Sequence, residues 1–433
     1  MANGPSGDTP AARSASSPLA RIVRLLGPGL ITGAADDCPA SIGTFAQAGA
    51  TYGYAFQWTA LLTLPMMATV QYIAAKVAVV HGAGLAGVIR QRYPSPVLYI
   101  AVTGLVAANI INAGADLGAM GAAVGMFVPF SVRLLVIPVG LLVLGFLVFG
   151  NYNLIEGAFK WLTLALLAYV AAAFLAKPNV GAMLQGTFLP PISLNTAFLS
   201  LTVAALGGNV SPYLFFWQAD LEVDADQAER GPLRHGSKLA LHARLGGVRL
   251  DTAIGMVFSN IIIYFIELSS AATLHAGGKH HISTAVQAAE ALRPLLGNAA
   301  TILWAIGILG AGLLAVPALA GSAADAVATT LSWPRGLGQK LDRAKRFYAV
   351  LALAVLIAIG INFLGVNPID ALVLAAVVNG FLTPPLLVLL MLLANRKDVM
   401  GAQANGFGLN IMGWGTVAIM SIAALALLYT FIA

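Results

Sequence analysis

The amino-acid sequence predicts an all-α polytopic membrane protein with eleven transmembrane helices, built as two inverted five-helix repeats and one extra helix. Three observations lead to this class. Of the 433 residues, 59% are hydrophobic and only 9% are charged, whereas soluble domains are usually about 45–50% apolar and 25% charged. Apolar stretches of ~20 residues, the length that crosses a bilayer, recur along the whole chain. Two stretches, five spans apart, are interrupted in a corresponding way, which is typical of inverted repeats.

The spans follow one another with short polar gaps. Residues 1–20 are polar and rich in Pro, Ser and Ala, without the features of a secretory signal, and we expect a disordered cytoplasmic tail. Residues 21–433 form a single transmembrane domain, with repeat one over 27–176, repeat two over 193–394 and the extra helix over 407–431. The predicted spans are 27–49, 55–80, 97–127, 132–150, 156–176, 193–219, 250–275, 297–330, 347–363, 369–394 and 407–431.

Lys and Arg residues gather in alternate gaps between these spans. They crowd the gaps around 90–92, 230–249, 335–346 and 396–397, while the opposite gaps hold few. Cytoplasmic loops carry this excess, so the N-terminus is predicted inside and the C-terminus outside. The formal charge of +6 is therefore a feature of membrane topology and predicts no nucleic-acid partner. We expect a monomer in the lipid bilayer of a bacterial inner membrane.

The first interruption is the stretch "GAADDCPASIG", residues 33–43. It puts Asp36, Asp37, the single cysteine Cys38 and a proline in the middle of a span. The second interruption is "GGNVSP", residues 207–212, in the sixth span. Because the residue before a proline is disfavoured in helical geometry, Cys38 and Ser211 are the predicted points of unwinding.

An unwound backbone with carboxylates beside it predicts a cation site. The freed carbonyls are hard oxygen ligands, and two adjacent carboxylates repel each other unless a cation compensates them. An alternative use for Asp36 or Asp37 is to cap the second half-helix, and we assign one to the cap and the other to the ion. Asp116, with Asn112 at helical spacing, either relays protons or lines an exit path, or is a satisfied buried acid. Asn379 and Glu267 are weaker candidates that we interpret as structural.

The stretch "HAGGKHHIS", residues 275–283, is interpreted as an exposed polar loop. Its three histidines, His275, His280 and His281, leave open a second interpretation, in which they sample cations outside the membrane. No nucleophile–base pair or cofactor motif occurs among the spans, so we expect neither an enzyme nor a bound cofactor.

Over nearly its whole length, the sequence resembles the Nramp (natural resistance-associated macrophage protein) family of divalent metal transporters. The resemblance rests on the two broken spans and on "GPGLITG" (27–33), "ATYGY" (50–54), "LAGS" (319–322) and "NRKDVMG" (395–401). It implies the leucine-transporter fold. It also implies that metal is held by an Asp and an Asn of an Asp-Pro-Gly-Asn motif in the first span, and by a Met sulfur and a carbonyl in the sixth.

The sequence departs from this pattern at the site itself. The motif's Asp position falls on Cys38 and its Asn position on Ser41, while the Met position falls on Ser211 and the carbonyl on Gly208. A hydroxyl in place of the thioether favours harder ions, as in the Nramp-related magnesium transporters that lack the Met. The position of the family's proton-pathway histidine falls on Tyr213, which leaves proton coupling open.

We therefore predict a secondary transporter that moves a divalent cation, with magnesium or manganese as the first candidates, by alternating access. Two ligand assignments remain: Asp37 slips into the principal position, which we favour, or Cys38 coordinates as a thiolate. The alternative functions are transport of a small organic solute in an aromatic pocket, and a non-transporting sensor. The predicted site comprises Asp37 with the main charge, oxygen ligands Ser41, Gly208 and Ser211, lining residues Asn209 and Cys38, the cap or supporting acid Asp36, and pathway residues Asp116, Asn112, Tyr213 and Asn379.

Overall fold

The structure is a computed structural model that describes residues 27–149, 166–230 and 238–432. The predicted tail over 1–20 and the first part of the predicted span 156–176 lie outside the described residues. Within the described ranges the chain forms helices and no strand. The predicted all-α membrane class is therefore confirmed.

Within the part of the chain that the structure describes, fifteen helices carry the fold, and short helical segments of up to five residues join some of them. Helix α11 continues through a wider π-helical turn to His275. The helices are α1 Pro28–Asp36, α2 Pro39–Tyr52, α3 Trp58–His81, α4 Leu85–Arg92, α5 Ser95–Gly125, α6 Val132–Phe149, α7 Leu166–Leu175, α8 Val180–Phe188, α9 Thr196–Asn209, α10 Pro212–Arg230, α11 Lys238–Ser270, α12 Ala300–Thr330, α13 Lys345–Ile361, α14 Pro368–Asn395 and α15 Phe407–Thr430.

The predicted number of eleven spans is not confirmed as a count of continuous helices. Within the described ranges, nine stretches are long and apolar enough to cross a membrane. The first predicted span is not one of them, because it consists of the half-helices α1 and α2, with 9 and 14 residues. Each is shorter than the ~20 residues that a single helix needs. The fifth predicted span is described only from residue 166 onward.

Glycine contacts bring the two interrupted spans into the centre of the bundle. A Cβ atom on Gly33 of α1 would lie 2.3 Å from the Gly255 carbonyl oxygen of α11. Likewise, a Cβ atom on Gly207 of α9 would lie 2.2 Å from the Gly380 amide nitrogen of α14. Backbones approach this closely only where both helices lack side chains, as in small-residue packing within membranes. These crossings fix the half-helices α1 and α9 beside the breaks.

Helix α11 runs alongside the whole of α1 and α2. Asp251 accepts a hydrogen bond from the Gly29 N–H at 2.6 Å at the start of α1, and His275 contacts the Ala50 carbonyl oxygen near the end of α2. Between them, Ser259 contacts the break. These three α11 residues are spaced by multiples of eight, and eight helical residues span ~12 Å. The first and seventh spans are therefore parallel neighbours, a relation that the sequence analysis did not identify.

Candidate metal-binding site

The break in the first span spans Asp37 and Cys38. Asp37 has φ −74° and ψ 45°, and Cys38 has φ −71° and ψ 163°, so the helical hydrogen bonding stops here. Helix α2 restarts at Pro39, where a proline is favourable because its missing N–H would have no helical partner anyway. The predicted unwinding at Cys38 is thus observed.

The predicted cap of α2 by Asp36 or Asp37 is wrong. The Cys38 sulfur accepts the Ser41 N–H at 3.4 Å, and the Asp116 carboxylate accepts the Ala40 N–H at 2.9 Å. The N-cap is the residue immediately before the first helical residue, and Cys38 occupies that position before Pro39. Asp36 and Asp37 come before the cap residue, so their carboxylates are available for other contacts.

Asp36 and Asp37 share one hydrogen-bond donor. The Ser259 hydroxyl lies 2.6 Å from Oδ2 of Asp36 and 3.0 Å from Oδ1 of Asp37. Both aspartates are 0% exposed, and a hydroxyl has only one proton to donate. Asp36 Oδ1 and Asp37 Oδ2 have no protein partner. The pair therefore carries more acceptor capacity than its surroundings satisfy.

The second break lies at Val210 and Ser211, where α9 ends and α10 begins, as predicted for Ser211. Two hydroxyls lie against the carbonyls freed there, and each has one proton to share between two carbonyl oxygens. Ser211 Oγ lies 2.6 Å from the Gly207 carbonyl oxygen and 2.7 Å from that of Gly208. Thr383 Oγ1 of α14 lies 3.0 Å from the Val210 carbonyl oxygen and 2.6 Å from that of Asn379. The second break is thus neutral, with two of the predicted ligand groups, Ser211 and Gly208, bonded to each other.

Two contacts join the breaks. The hydroxyl of Tyr213, a predicted pathway residue, donates to the Ala35 carbonyl oxygen at 2.8 Å, in the last turn of α1. A Cβ atom added to Gly208 would lie 3.5 Å from Ser41 Oγ, so these two predicted ligands are neighbours. The structure therefore brings the first and sixth spans together at the predicted place.

Asn209 belongs to a polar chain that crosses to neighbouring helices. Its Nδ2 donates to Thr63 Oγ1 of α3 at 2.7 Å, and Thr63 Oγ1 lies 3.2 Å from Asn260 Oδ1 of α11. The Asn209 Oδ1 atom has no partner. This amide is held in place through its nitrogen while its oxygen remains free to bind a cation.

The predicted pathway residues of α5 are buried and only partly satisfied. Asp116 uses Oδ1 to accept the Ala40 N–H, and its Oδ2 has no partner. Neither polar side-chain atom of Asn112 has a partner, although the residue is only 1% exposed. Asn379 of α14 is also buried, and its carbonyl accepts the Thr383 hydroxyl. Asp116 thus stands directly against the first break.

No preformed metal cluster exists among the described residues. Within 27–149, 166–230 and 238–432, no three His, Cys, Asp or Glu side chains are grouped so that they could hold a metal ion. A cation at the breaks therefore needs hydroxyl, amide or carbonyl oxygens in addition to the carboxylates.

Sequence reasoning missed four residues that shape the site: Ser259, Thr63, Thr383 and Ala35. Each is a common residue of membrane helices and makes its contribution through a contact between distant spans. The one available signal was the polarity of Thr63 and Ser259 within otherwise apolar spans. That signal does not say which partner a residue meets.

At one end of the bundle, Arg335 joins α10 to α12. Its guanidinium lies 2.8 Å from Asp220 Oδ1 and 3.6 Å from Asp325 Oδ1. Burial acts to lower the pKa of Arg335, but the carboxylates of Asp220, Asp325 and Asp224 outweigh it and raise this pKa. Arg335 therefore remains charged and is a counter-ion for the buried Asp220 and Asp325, whereas none of the ion pairs between described residues involves Asp36 or Asp37.

Comparisons with known proteins agree with this architecture. The model of the family described as "Natural resistance-associated macrophage protein-like" matches residues 29–430. The chain is 27% identical over 422 residues to a divalent metal cation transporter MntH of Yersinia pestis, covering 95% of both chains. It is also 27% identical over 422 residues to a protein of the same name from Deinococcus radiodurans, covering 93% of this chain and 88% of the other.

Solved structures show the same fold. A manganese transporter of Eremococcus coleocola superimposes with a TM-score of 0.73 at 18% identity, covering 96% of this chain and 88% of that one. MHP1, a nucleobase-cation-symport-1 family transporter, superimposes with a TM-score of 0.59 at 14% identity, covering 94% and 92%. The predicted leucine-transporter fold is thereby confirmed. With a family model that spans both breaks and nearly all of the described helices, the chain belongs to the Nramp family.

Proposed function

We propose that this protein carries a divalent metal cation across the membrane by alternating access, and binds it between the two breaks. The observation that carries the proposal is the pair Asp36 and Asp37, fully buried, with one unpartnered oxygen on each. Among the described residues, no Lys or Arg forms an ion pair with either carboxylate or with Asp116. Buried carboxylates are costly unless paired or metal-bound, so a transported cation is the fitting counter-ion.

In the proposed ligand set, Asp37 supplies the main charge. Ser41, the Gly208 carbonyl and Ser211 add oxygen ligands, and Asn209 contributes its free Oδ1. Ser211 still has lone pairs when its proton points to a carbonyl, so its contact with Gly208 is compatible with both being ligands. Asp36, which shares Ser259 with Asp37, supports the charge from the α11 side.

The contacts of Cys38 favour Asp37 over the thiolate as principal ligand. The sulfur is already used as the cap of α2, where it accepts the Ser41 N–H. A thiol coordinates well only after it loses its proton. A buried site with carboxylates next to it resists a further negative charge, because like charges repel. Cys38 is therefore proposed to position α2 and to line the site.

Magnesium and manganese are the proposed cargoes, since both accept oxygen ligands. The name of the Eremococcus coleocola structure supports manganese, while the MntH relatives are named only as divalent metal cation transporters. The hydroxyl of Ser211, where the family pattern has a thioether, supports magnesium, because a soft sulfur ligand favours transition metals. We place the protein in a bacterial inner membrane with its N-terminus inside.

The aromatic residues of α10 argue against an organic solute. Phe215 is buried in a cluster with Met67 and Phe216, whereas Tyr213 and Trp217 belong to another cluster. Trp217 packs so closely on Gly321 that an added Cβ atom would lie 2.8 Å from its ring. The three side chains therefore do not share a pocket, as an aromatic solute pocket around them would require.

The test is uptake of magnesium, manganese, cadmium and zinc into proteoliposomes. We compare the wild type with Asp37→Ala and Cys38→Ala, and use Asp342→Ala, an exposed carboxylate in the loop 331–344, as the matched control. We expect uptake to be lost in Asp37→Ala and retained in the other two. Selective loss of cadmium and zinc uptake in Cys38→Ala would favour the thiolate, and normal uptake in Asp37→Ala would refute our ligand assignment. If the wild type moves no divalent ion, the proposed function is wrong.

A further inference from the structure

Two histidine side chains face each other at the end of α11, far from the breaks. His275 closes the π-helical turn that extends α11, and His280 lies in the loop 276–284, which we call the histidine loop. Their Nδ1 atoms are 3.2 Å apart, and the rings meet edge to face with centroids 4.7 Å apart. The Ala50 carbonyl oxygen of α2 lies 2.9 Å from the same His275 Nδ1 atom.

Hydrogen bonds satisfy the two Nδ1 atoms and the Ala50 carbonyl oxygen poorly. A carbonyl oxygen only accepts hydrogen bonds, so His275 Nδ1 must carry a proton to bond Ala50. His280 Nδ1 then directs either a lone pair at the same nitrogen or a second proton against it. Either arrangement leaves one of the two contacts without a good hydrogen bond. All three atoms have lone pairs, which a metal ion can accept.

The spacing of the nitrogens suits a metal ion. Two Zn–N bonds of about 2.0–2.1 Å at the tetrahedral angle put the nitrogens about 3.3–3.4 Å apart. The observed distance is 3.2 Å, so both imidazoles reach one ion with little movement once the His275 proton has moved from Nδ1 to Nε2. The Ala50 carbonyl oxygen is close enough to be a third ligand. His280 is exposed and His275 is half-buried, so the ion can enter from solvent and keep water ligands.

Hydrogen bonds hold the histidine loop in place before any ion arrives. The Thr51 hydroxyl of α2 donates to the His280 carbonyl oxygen at 2.9 Å, and Gln47 Oε1 accepts the Ile282 N–H at 3.0 Å. Asn367, next to the start of α14, donates to the Ser283 carbonyl oxygen at 3.0 Å. A site whose backbone is already ordered loses less conformational entropy on binding. The loop thus presents His280 in a fixed position over α2.

We propose that His275 and His280, with the Ala50 carbonyl, form a second metal site, which takes a late first-row divalent ion such as zinc or copper. Imidazole nitrogen suits these ions, whereas magnesium prefers oxygen. The ion ties the outer end of α2 to the histidine loop. This site is separate from the breaks, because Ala50 is twelve residues from Cys38, or ~18 Å along the helix.

The test measures binding to the purified full-length protein. Zinc is titrated by calorimetry into the wild type, His280→Ala, His275→Asn and Asp37→Ala. Asparagine at 275 can still donate a hydrogen bond to Ala50, so the fold of the turn is kept. His281→Ala is the matched control, because His281 lies in the same loop but contacts Asp370, 3.6 Å away. Copper(II) bound to the same variants is examined by electron paramagnetic resonance.

We expect His280→Ala and His275→Asn to bind this zinc ion at least about tenfold more weakly, since even losing a residue that only supports a metal ligand commonly reduces affinity 10–100-fold. His281→Ala and Asp37→Ala should retain it, and the copper spectrum should show coupling to two nitrogens. Equal zinc binding by His280→Ala and wild type would overturn the proposal, and the two imidazoles would then share only a proton. Loss of all zinc binding in Asp37→Ala would also overturn it, while leaving the central site intact as a proposal.

Discussion

Both breaks end one helix just before the proline that starts the next, but they differ in charge. At the first break, Asp36 and Asp37 each keep an oxygen without a protein partner. At the second break, the Ser211 and Thr383 hydroxyls lie within 3.0 Å of the freed carbonyls of Gly207, Gly208 and Val210, which carry no formal charge. One break is therefore poised for a cation, and the other is a neutral frame held by α14. Unwinding a helix therefore supplies oxygen ligands, while the charge that attracts a cation has to come from side chains.

The largest expected effect comes from removing the charge of the first break. The double substitution Asp36→Asn, Asp37→Asn should reduce metal uptake about a hundredfold or more, because losing one partner of a buried charge interaction costs about 3–5 kcal/mol. The metal-free protein should melt at a higher temperature, since buried charges without partners are destabilising. Uptake in proteoliposomes and thermal melting in detergent measure the two effects. A larger loss of uptake in Ser211→Ala than in the double variant would contradict the conclusion that the first break supplies the main attraction for the cation.

Helix packing at the second break is expected to require glycine at position 207 but not at the neighbouring position 208. Gly207→Ala should destabilise the protein by about 1–3 kcal/mol, the usual range for overpacking. Its new Cβ atom would lie 2.2 Å from the Gly380 nitrogen. Gly208→Ala is the matched control, because the nearest atom to its Cβ is Ser41 Oγ at 3.5 Å. Thermal melting and size-exclusion profiles compare them, and equal destabilisation would contradict this account of the crossing.

A smaller effect is expected from the donor shared by the two aspartates. Ser259→Ala removes a hydrogen bond to a carboxylate, which is worth about 1.5–3 kcal/mol. It should raise the KM for metal uptake about tenfold, because groups that support metal ligands usually change affinity 10–100-fold. Ser269→Ala is the control on the same helix, since its hydroxyl bonds only to the Ile266 carbonyl, at 3.0 Å. An unchanged KM in Ser259→Ala would indicate that Asp36 and Asp37 do not bind the transported ion.

The smallest effect is expected at Cys38. Serine is a good cap, so Cys38→Ser should leave stability and uptake nearly unchanged, while Cys38→Ala should cost about 1 kcal/mol through loss of the cap. The ratio of cadmium to manganese uptake should be the same in both variants and the wild type. A selective fall in cadmium uptake in Cys38→Ser would identify the sulfur as a ligand.

The sequence predicted the breaks well because their causes are local. Proline at 39 and 212 restricts the preceding residue, and the structure unwinds at Cys38 and Ser211 as expected. The cap of α2 was predicted wrongly, because capping depends on the position of each residue relative to the turn. The sequence showed three polar residues in a row, and the backbone geometry decided that Cys38 was the cap.

The contacts of Tyr213 show which features the sequence does not predict. Its place after the second break was evident from the sequence, but its hydroxyl meets the Ala35 carbonyl, 178 residues away along the chain. Ser259 likewise meets aspartates more than 220 residues away. Periodicity and propensity describe only neighbours along one helix. Contacts of this kind arise from how the helices cross.

By itself the sequence determined the membrane class, the places where two spans unwind, and the presence of buried acids at one of them. These properties follow from apolar length, proline chemistry and the cost of charge in lipid, all of which act on short segments. Only the tertiary structure decided that α11 lies beside both halves of the first span, that Ser259 bridges the two aspartates, and that Cys38 caps α2. Helix packing among small residues fixed those contacts, because it sets which polar groups meet once lipid excludes water.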